Sequence, residues 1–384
     1  MTLRRAFPLA PTLGLLLAAV AGCGEKIGIP QPEGLFSVAP YLLSEIYDDD
    51  DPRQLISSQG NLFVLADGTL TKRNQSYERL ARIEGFADPR ALCAGDYDSL
   101  VFVWDQGPGR VSWFRTRDLS VQLDQPSHTD LPAVRRCVAM AACRAGIEQV
   151  PGATTYLYLA DPDSGVVHRY AYDPYTGLVA HGILCRRGGD AARFVHDPGA
   201  LARDSADSLL VCDVDTLRNW VIRFNSVPDL LDTAPGGVGP DPLRGHAALF
   251  APAACNPPAA DEYVLGDAAG CNETDWVGGP SDAEGEFTTP QGVAVDGSGR
   301  IFVSDTGNDR IQIFGPDGGY RVLFGNPDWS PAPGGLTTVD IRTGVGETGV
   351  KYGAYVYVVA GGQVRRFISG EYYDYVNANL PPDP

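Results

Sequence analysis

The chain has 384 residues, a formal net charge of −18 from 48 acidic and 30 basic side chains, and an isoelectric point near 4.6. Such a surface repels nucleic acid, whose binding depends on basic contacts to phosphate, so no nucleic-acid partner is expected. The length would admit two average domains. At the amino terminus, Arg4 and Arg5 precede an apolar run from Leu9 to Val20, which leads into Val20-Ala21-Gly22-Cys23. This is a charged region, a short hydrophobic region and a small-residue cleavage site. About a dozen apolar residues are too few to span a bilayer stably.

The four residues ending in Cys23 resemble the lipobox of bacterial lipoproteins. The resemblance implies that residues 1–22 are a lipoprotein signal peptide and that Cys23 is lipidated and becomes the new first residue. Gly rather than Asp at position 24 points, by the Gram-negative sorting pattern, to export and lipid anchoring in the outer membrane. Residues 23–34, with two prolines and several glycines, read as a lipidated tether to a body spanning 35–384. Removing residues 1–22, and with them Arg4 and Arg5, leaves a charge of −20. Next come two short segments of strand character, Phe36–Ala39 and Tyr41–Tyr47. Either could close a ring beside the carboxy-terminal Glu371–Val376, or join a seventh, irregular blade.

From residue 52 a pattern repeats. An aspartate ends a strong apolar strand, an aromatic follows nine residues later, and a proline lies about 15 residues upstream. Pro52 lies 15 residues before Asp67; Pro89 lies 16 before Asp105, which reaches Phe114 nine residues on. Asp161 reaches Tyr170 after nine, but Pro132 is 29 upstream, which implies an insertion around Gly146–Thr154. Pro198 lies 15 before Asp213, whose aromatic, Phe224, follows after 11, a hairpin loop longer by two. Pro290 lies 15 before Asp305, and Phe314 follows nine later. A last pair, Tyr355–Ala360 and Val364–Phe367, flanks a Gly361-Gly362 turn. Proline suits the start of an inner strand because it fixes φ and lacks a ladder donor. Aspartate and asparagine suit the hairpins because they tolerate left-handed dihedrals. Second strands near 62, 100, 156, 209, 301 and 356 make six candidate blades. A β-sandwich also contains hairpins, but it does not explain the conserved spacing. Long helical stripes are absent after the leader.

The fifth repeat is the fullest. Gly292–Asp296, Ile301–Asp305, Ile311–Phe314 and Tyr320–Phe324 are four β-rich runs separated by three turn clusters. The order P-x-G-V-A-V-D…G-x-I-x-V-x-D-x-x-N-x-R-I-Q-x-F, carried by Pro290, Gly292, Asp296, Asp305, Asn308, Arg310 and Phe314, closely resembles the NHL repeat. A single blade cannot bury both faces, so one implies others. The resemblance therefore implies an all-β, six-bladed β-propeller of NHL type. It would carry one long disulfide-bearing insertion loop at about 226–287.

With Cys23 assigned to lipid, seven cysteines remain, which suits an oxidising compartment. Cys255 and Cys271 flank the insertion and form the favoured pair. Cys212 lies within a strand and is expected to be a buried thiol. The connectivity of Cys93, Cys137, Cys143 and Cys185 stays open, and no C-x-x-C or paired-histidine spacing supports zinc. The histidines at 128, 168, 181, 196 and 246 are scattered, with His168 expected at an exposed or edge position. Asp48–Asp51 and Asp161-Pro-Asp-Ser-Gly165 superficially suit calcium, but the second is expected to be a blade hairpin. No cofactor beyond the lipid is expected. Phe250, Tyr263, Trp276 and Phe287 are candidates for an exposed aromatic patch.

The expected function is a cell-envelope lipoprotein whose propeller is a non-catalytic protein- or ligand-binding scaffold. The membrane, through the lipid, and an envelope protein or extracellular ligand are its expected partners. The alternative is a propeller enzyme resembling metal-dependent lyases or lactonase-like hydrolases.

Overall fold

The computed structural model describes residues 41–48, 51–95, 99–121, 125–144, 155–186, 197–204, 209–215, 218–224, 247–248, 263–265, 282–316, 320–325, 333–343 and 350–369. The first strand, β1 (Tyr41–Asp48), belongs to the last blade. Blade 1 follows with β2 (Gln54–Ser58), β3 (Asn61–Ala66), β4 (Thr69–Arg73) and β5 (Arg79–Glu84). Blade 2 has β6 (Pro89–Gly95), β7 (Leu100–Asp105), β8 (Arg110–Arg115) and β9 (His128–Asp130). Blade 3 has β10 (Ala139–Arg144), β11 (Thr155–Asp161), β12 (Val166–Asp173) and β13 (Gly177–Arg186). Blade 4 has β14 (Pro198–Arg203), β15 (Leu209–Asp215), β16 (Arg218–Phe224), β17 (Ala247–Ala248) and β18 (Tyr263–Leu265). Blade 5 has β19 (Pro290–Val295), β20 (Ile301–Asp305), β21 (Arg310–Phe314) and β22 (Tyr320–Gly325). Blade 6 has β23 (Leu336–Thr343), β24 (Val350–Ala360) and β25 (Gln363–Ser369), with β1 as its outer strand. The one helical element among the described residues is a single 3₁₀ turn, Thr306–Asn308.

The second strand of each blade is sandwiched on both faces, which is why those strands read as continuous apolar runs. Leu100–Asp105 and Thr155–Asp161 are buried along their whole length. The core is six clusters, one in each seam between neighbouring blades. Phe102 and Trp113 of blade 2 meet Leu157 and Tyr172 of blade 3, and Tyr47 and Tyr357 of blade 6 meet Leu55 and Val64 of blade 1. Every blade is thus covered twice, as a closed ring requires.

Three expectations need correction. The two extra residues after Asp213 do not widen the hairpin. They add the pairs Val214↔Asn219 and Asp215↔Arg218, lengthening both strands. Pro132 does not start the inner strand of blade 3, which begins at Ala139; the connection between β10 and β11 does span 145–154, where the insertion was expected. The segment 226–287 contains strands, because Ala247–Ala248 and Tyr263–Leu265 both pair with β16 as the outer part of blade 4. Closure uses Tyr41–Asp48, one of the two candidate strands, paired with Gln363–Ser369; the expected partner Glu371–Val376 lies outside the described residues. Residues 1–40 with Cys23, and Cys255 and Cys271 with their expected disulfide, lie outside the described residues.

Candidate binding face

In blades 2 to 5 the repeated aspartate lies at or near the end of the second strand with its carboxylate buried, and it anchors the loop that enters the inner strand; Asp67 of blade 1 instead is exposed and pairs with Arg53 at 3.0 Å. Asp105 accepts from the backbone N–H groups of Ala87 (3.0 Å) and Asp88 (2.7 Å). Asp161 does the same for Arg135 (2.9 Å) and Arg136 (3.3 Å), Asp213 for Asp197 (2.9 Å) and Asp305 for Thr288 (2.6 Å). A buried carboxylate is tolerated only when so satisfied. Opposite three of them stand the inner-strand prolines, in the register Pro89↔Asp105, Pro198↔Asp213 and Pro290↔Asp305.

The NHL residues are engaged in the same work. Asp305 also accepts from Asn308 Nδ2 (2.8 Å), Arg310 Nε (2.6 Å) and Gln312 Nε2 (3.0 Å). Arg310 continues to the carbonyls of Asp282, Ala283 and Glu286, fixing the approach to β19. Asp296 closes the first hairpin by accepting from the N–H groups of Ser298 and Arg300, and Arg300 reaches on to the Tyr41 hydroxyl in the closing strand. Phe314 is buried against Phe287 with ring centroids 5.6 Å apart. Phe287 is 1% exposed and therefore is not part of a surface patch. Phe250 and Trp276 lie outside the described residues; Tyr263 is described only as the start of β18.

His168 is buried, contrary to expectation, because it lies two residues past the partner of Asp161 and points back to it. Its Nε2 is 3.3 Å from Asp161 Oδ2. Burial pushes the imidazole pKa down, against the pull of Asp161 upward. Burial also pushes Asp161 up, but the N–H groups of Arg135 and Ser164 and the imidazole outweigh it and hold the carboxyl below its usual range. A neutral imidazole donating from Nε2 to a carboxylate satisfies both. Asp161–Gly165 is a hairpin, closed by Gly165 N–H to the Pro162 carbonyl (3.1 Å). Cys93, Cys137, Cys143 and Cys212 are buried thiols, and burial raises the Cys137 and Cys212 pKa values well above the usual range.

The inner strands of all six blades surround a central channel of about 240 Å³. Its wall combines small apolar side chains such as Ala94, Ala141, Ala200 and Ala202 with polar ones, among them Gln54, Ser57, Arg203, Gln291 and Thr338. Three of its polar side chains stitch neighbouring blades together. Gln54 Oε1 accepts from Leu92 N–H (2.7 Å), Ser57 Oγ donates to the Thr338 carbonyl (2.6 Å), and Thr338 Oγ1 donates to the Val295 carbonyl (2.9 Å). Among the described residues no group of three or more His, Cys, Asp or Glu is placed to hold a metal ion.

A charged groove lies at one rim. It measures about 610 Å³, crosses blades 1 to 3 and is lined by Arg53, Arg90, Arg135 and Arg136 against Asp88 and Asp163. A second hollow of about 370 Å³ shares Arg136 and runs on to Pro198 of blade 4. Asp88 lies between Arg53 (2.9 Å) and Arg90 (2.8 Å), whose hydrogen bonds, against its burial, hold its carboxyl below the usual range. Arg136 pairs with Asp163 at 2.7 Å. Sequence spacing found the aspartates that hold this rim but not the arginines. For Arg135 and Arg136 the signal is the position whose N–H Asp161 holds; Arg53 and Arg90 carry no such signal.

The NHL repeat matches residues 287–314. Over 42 residues the chain is 52% identical to "Protein brain tumor" of Drosophila melanogaster, and over 38 residues 55% identical to "B-box type zinc finger protein ncl-1" of Caenorhabditis elegans. These matches cover 11% and 10% of this chain and only 4% of each relative. Similar solved structures include a streptogramin B lyase (10% identity, 86% of this chain and 98% of that one, TM-score 0.46). The β-propeller domain of Cps50 (Swd1) from Myceliophteria thermophila is another (11% identity, 84% and 98%, TM-score 0.48). The chain is an all-β, six-bladed propeller that carries an NHL repeat in its fifth blade.

Proposed function

We propose that this propeller is a non-catalytic binding scaffold, tethered to the cell envelope through a lipid on Cys23. One observation carries the scaffold reading: the repeat's aspartates and the channel's Gln54, Ser57 and Thr338 all hold blades and loops together. General acid–base or metal chemistry needs side chains aimed at a substrate. Here those side chains are aimed at the backbone. The tether reading is supported by Val20-Ala21-Gly22-Cys23 after a short apolar run, followed by a segment rich in glycine and proline.

Two measurements on the full-length chain test the two halves of the proposal. In a Gram-negative host, Cys23→Ser should leave unprocessed precursor or move the protein out of the membrane fraction. An unchanged, membrane-associated mature form would remove the anchor from the proposal. Elemental analysis should give well under one equivalent of calcium or zinc. One equivalent would overturn the scaffold reading in favour of a metal-dependent propeller lyase or lactonase-like hydrolase.

A further inference from the structure

The buried aspartates make the blades directly comparable at the rim. In each, the carboxylate holds the N–H of one residue just before the inner strand: Asp88 in blade 2, Arg136 in blade 3, Asp197 in blade 4 and Thr288 in blade 5. The residue before it is Ala87, Arg135, His196 and Phe287 respectively. Blade 3 alone among these four places two consecutive arginines at a point where the backbone is pinned. The pinning is strong, because the Arg135 carbonyl also accepts from Gln106 Nε2 at 2.6 Å, and Gln106 in turn accepts from Trp104 Nε1 at 3.0 Å. Arg90 joins from blade 2 and Arg53 from blade 1.

The charge of this groove opposes that of the molecule. Four guanidinium groups face Asp88 and Asp163 in the lining, and Arg53 also pairs with Asp67 at 3.0 Å, which leaves a formal +1 in a chain of −18. Asp88 is shared by two arginines, and the guanidinium of Arg135 makes no hydrogen bond or ion pair among the described residues. Arginine forks match planar oxyanions in bidentate fashion, and a fixed loop avoids the ordering cost of binding. We propose that this groove is the recognition site for a short acidic peptide segment of a partner protein, bound through clustered carboxylates.

Two features select that occupant. The lining of the groove contains no aromatic side chain, whereas single-stranded nucleic acid is held by stacking on aromatic platforms. A long polyanion would also run out of the groove onto a strongly acidic molecule, whereas a short acidic stretch with neutral flanks would not. A hollow of about 610 Å³ that continues toward blade 4 is also much larger than one inorganic oxyanion requires.

This inference rests on the scaffold reading, and its test is separate from the metal analysis. A fluorescein-labelled octaglutamate peptide is titrated into the full-length protein by fluorescence anisotropy at low and at physiological salt. Octaserine, an oligothymidylate of equal length and inorganic phosphate serve as competitors. Octaglutamate should bind in a salt-sensitive manner. Arg135→Glu and Arg90→Glu should each weaken it by at least about tenfold. Arg82→Glu, a matched charge reversal on the outer strand of blade 1, should leave it unchanged. If Arg135→Glu does not fold, Arg135→Gln reads the same contact with a smaller expected loss.

Several results would overturn the assignment: no binding at low salt, equal weakening by Arg82→Glu, tighter binding of oligothymidylate than of peptide, or displacement by phosphate as effective as by unlabelled octaglutamate. Any of these in a metal-free, Cys23-anchored protein would remove the groove and leave the scaffold reading intact. A stoichiometric metal would remove that reading whatever the peptide does.

Discussion

The pair Asp161–His168 shows how one residue type can leave a measurable mark on a structural network. In the fifth blade the equivalent contact is Asp305–Gln312, a donor that does not titrate. His168 makes the contact as a neutral donor, with its pKa lowered chiefly by burial. The folded chain therefore binds fewer protons than the unfolded chain as pH falls through the ordinary histidine value of about 6.5. By linkage the contribution to stability is complete above that value and is lost on acidification toward the lower folded pKa. The lowered Asp161 acts in the same direction, but only below the ordinary aspartate range. His168→Gln should flatten the pH dependence of unfolding between pH ~7 and ~5, by up to about 1.4 kcal/mol per pH unit. Urea midpoints for both proteins across that range check it, and parallel curves would refute it. Spacing alone revealed Asp161, because an aspartate recurs there. His168 was misplaced because the corresponding position holds Ser112, His168 or Gln312 in different blades, with no common residue type to read.

At the scale of elements, the second strands were legible and the outer strands were not. A second strand is buried on both faces and must be apolar along its length, as Leu62–Ala66 and Leu100–Trp104 are. An outer strand faces solvent and has no such constraint. In β5, Arg79–Glu84, the alternation is between exposed and half-buried residues, and in blade 4 the outer part is two fragments of two and three residues. Inner strands are constrained by close approach, and Gly292 is the sharpest case. A Cβ there would lie 2.5 Å from the Gly334 carbonyl oxygen at the entrance to the next inner strand and 2.8 Å from Ser304 Oγ. The backbone oxygen cannot swing aside, so Gly292→Ala must push β19 away from blade 6. A cost of about 1–3 kcal/mol is expected from such overpacking. Chemical denaturation should show it, while Gly85→Ser, at a turn where a Cβ would meet nothing within 4 Å but φ is +99°, tests strain without crowding. Equal stability of Gly292→Ala and the parent would contradict the contact.

At the scale of the whole molecule, five blades were legible because the aspartate spacing repeats, the sixth from the strand pair flanking Gly361-Gly362, and Tyr41–Tyr47 as one candidate for closing the ring. The described partner of that strand is Gln363–Ser369, where burial of Val364 and Phe367 in the seams fixes the register. Closure is held by a buried polar cluster as well as by the ladder. Arg366 Nη2 donates to Glu45 Oε1 (2.7 Å) and Nε to Ser44 Oγ (3.0 Å), and the Tyr47 hydroxyl donates to Glu45. Tyr47 stacks on Tyr77 of blade 1 with centroids 3.9 Å apart, so the same strand seals the seam to the neighbouring blade. Removing one partner of a buried ion pair leaves the other uncompensated, at a cost of about 3–5 kcal/mol. Arg366→Ala should therefore lower global stability and do so locally first. In hydrogen exchange, amides of β1 and β25 should lose protection while those of β7 and β11, three seams or fewer from either end but sandwiched on both faces, keep theirs. Uniform loss across all six blades would mean that the ring opens only when it unfolds as a whole. Selective loss would make the joint between β1 and β25 the point where the propeller opens.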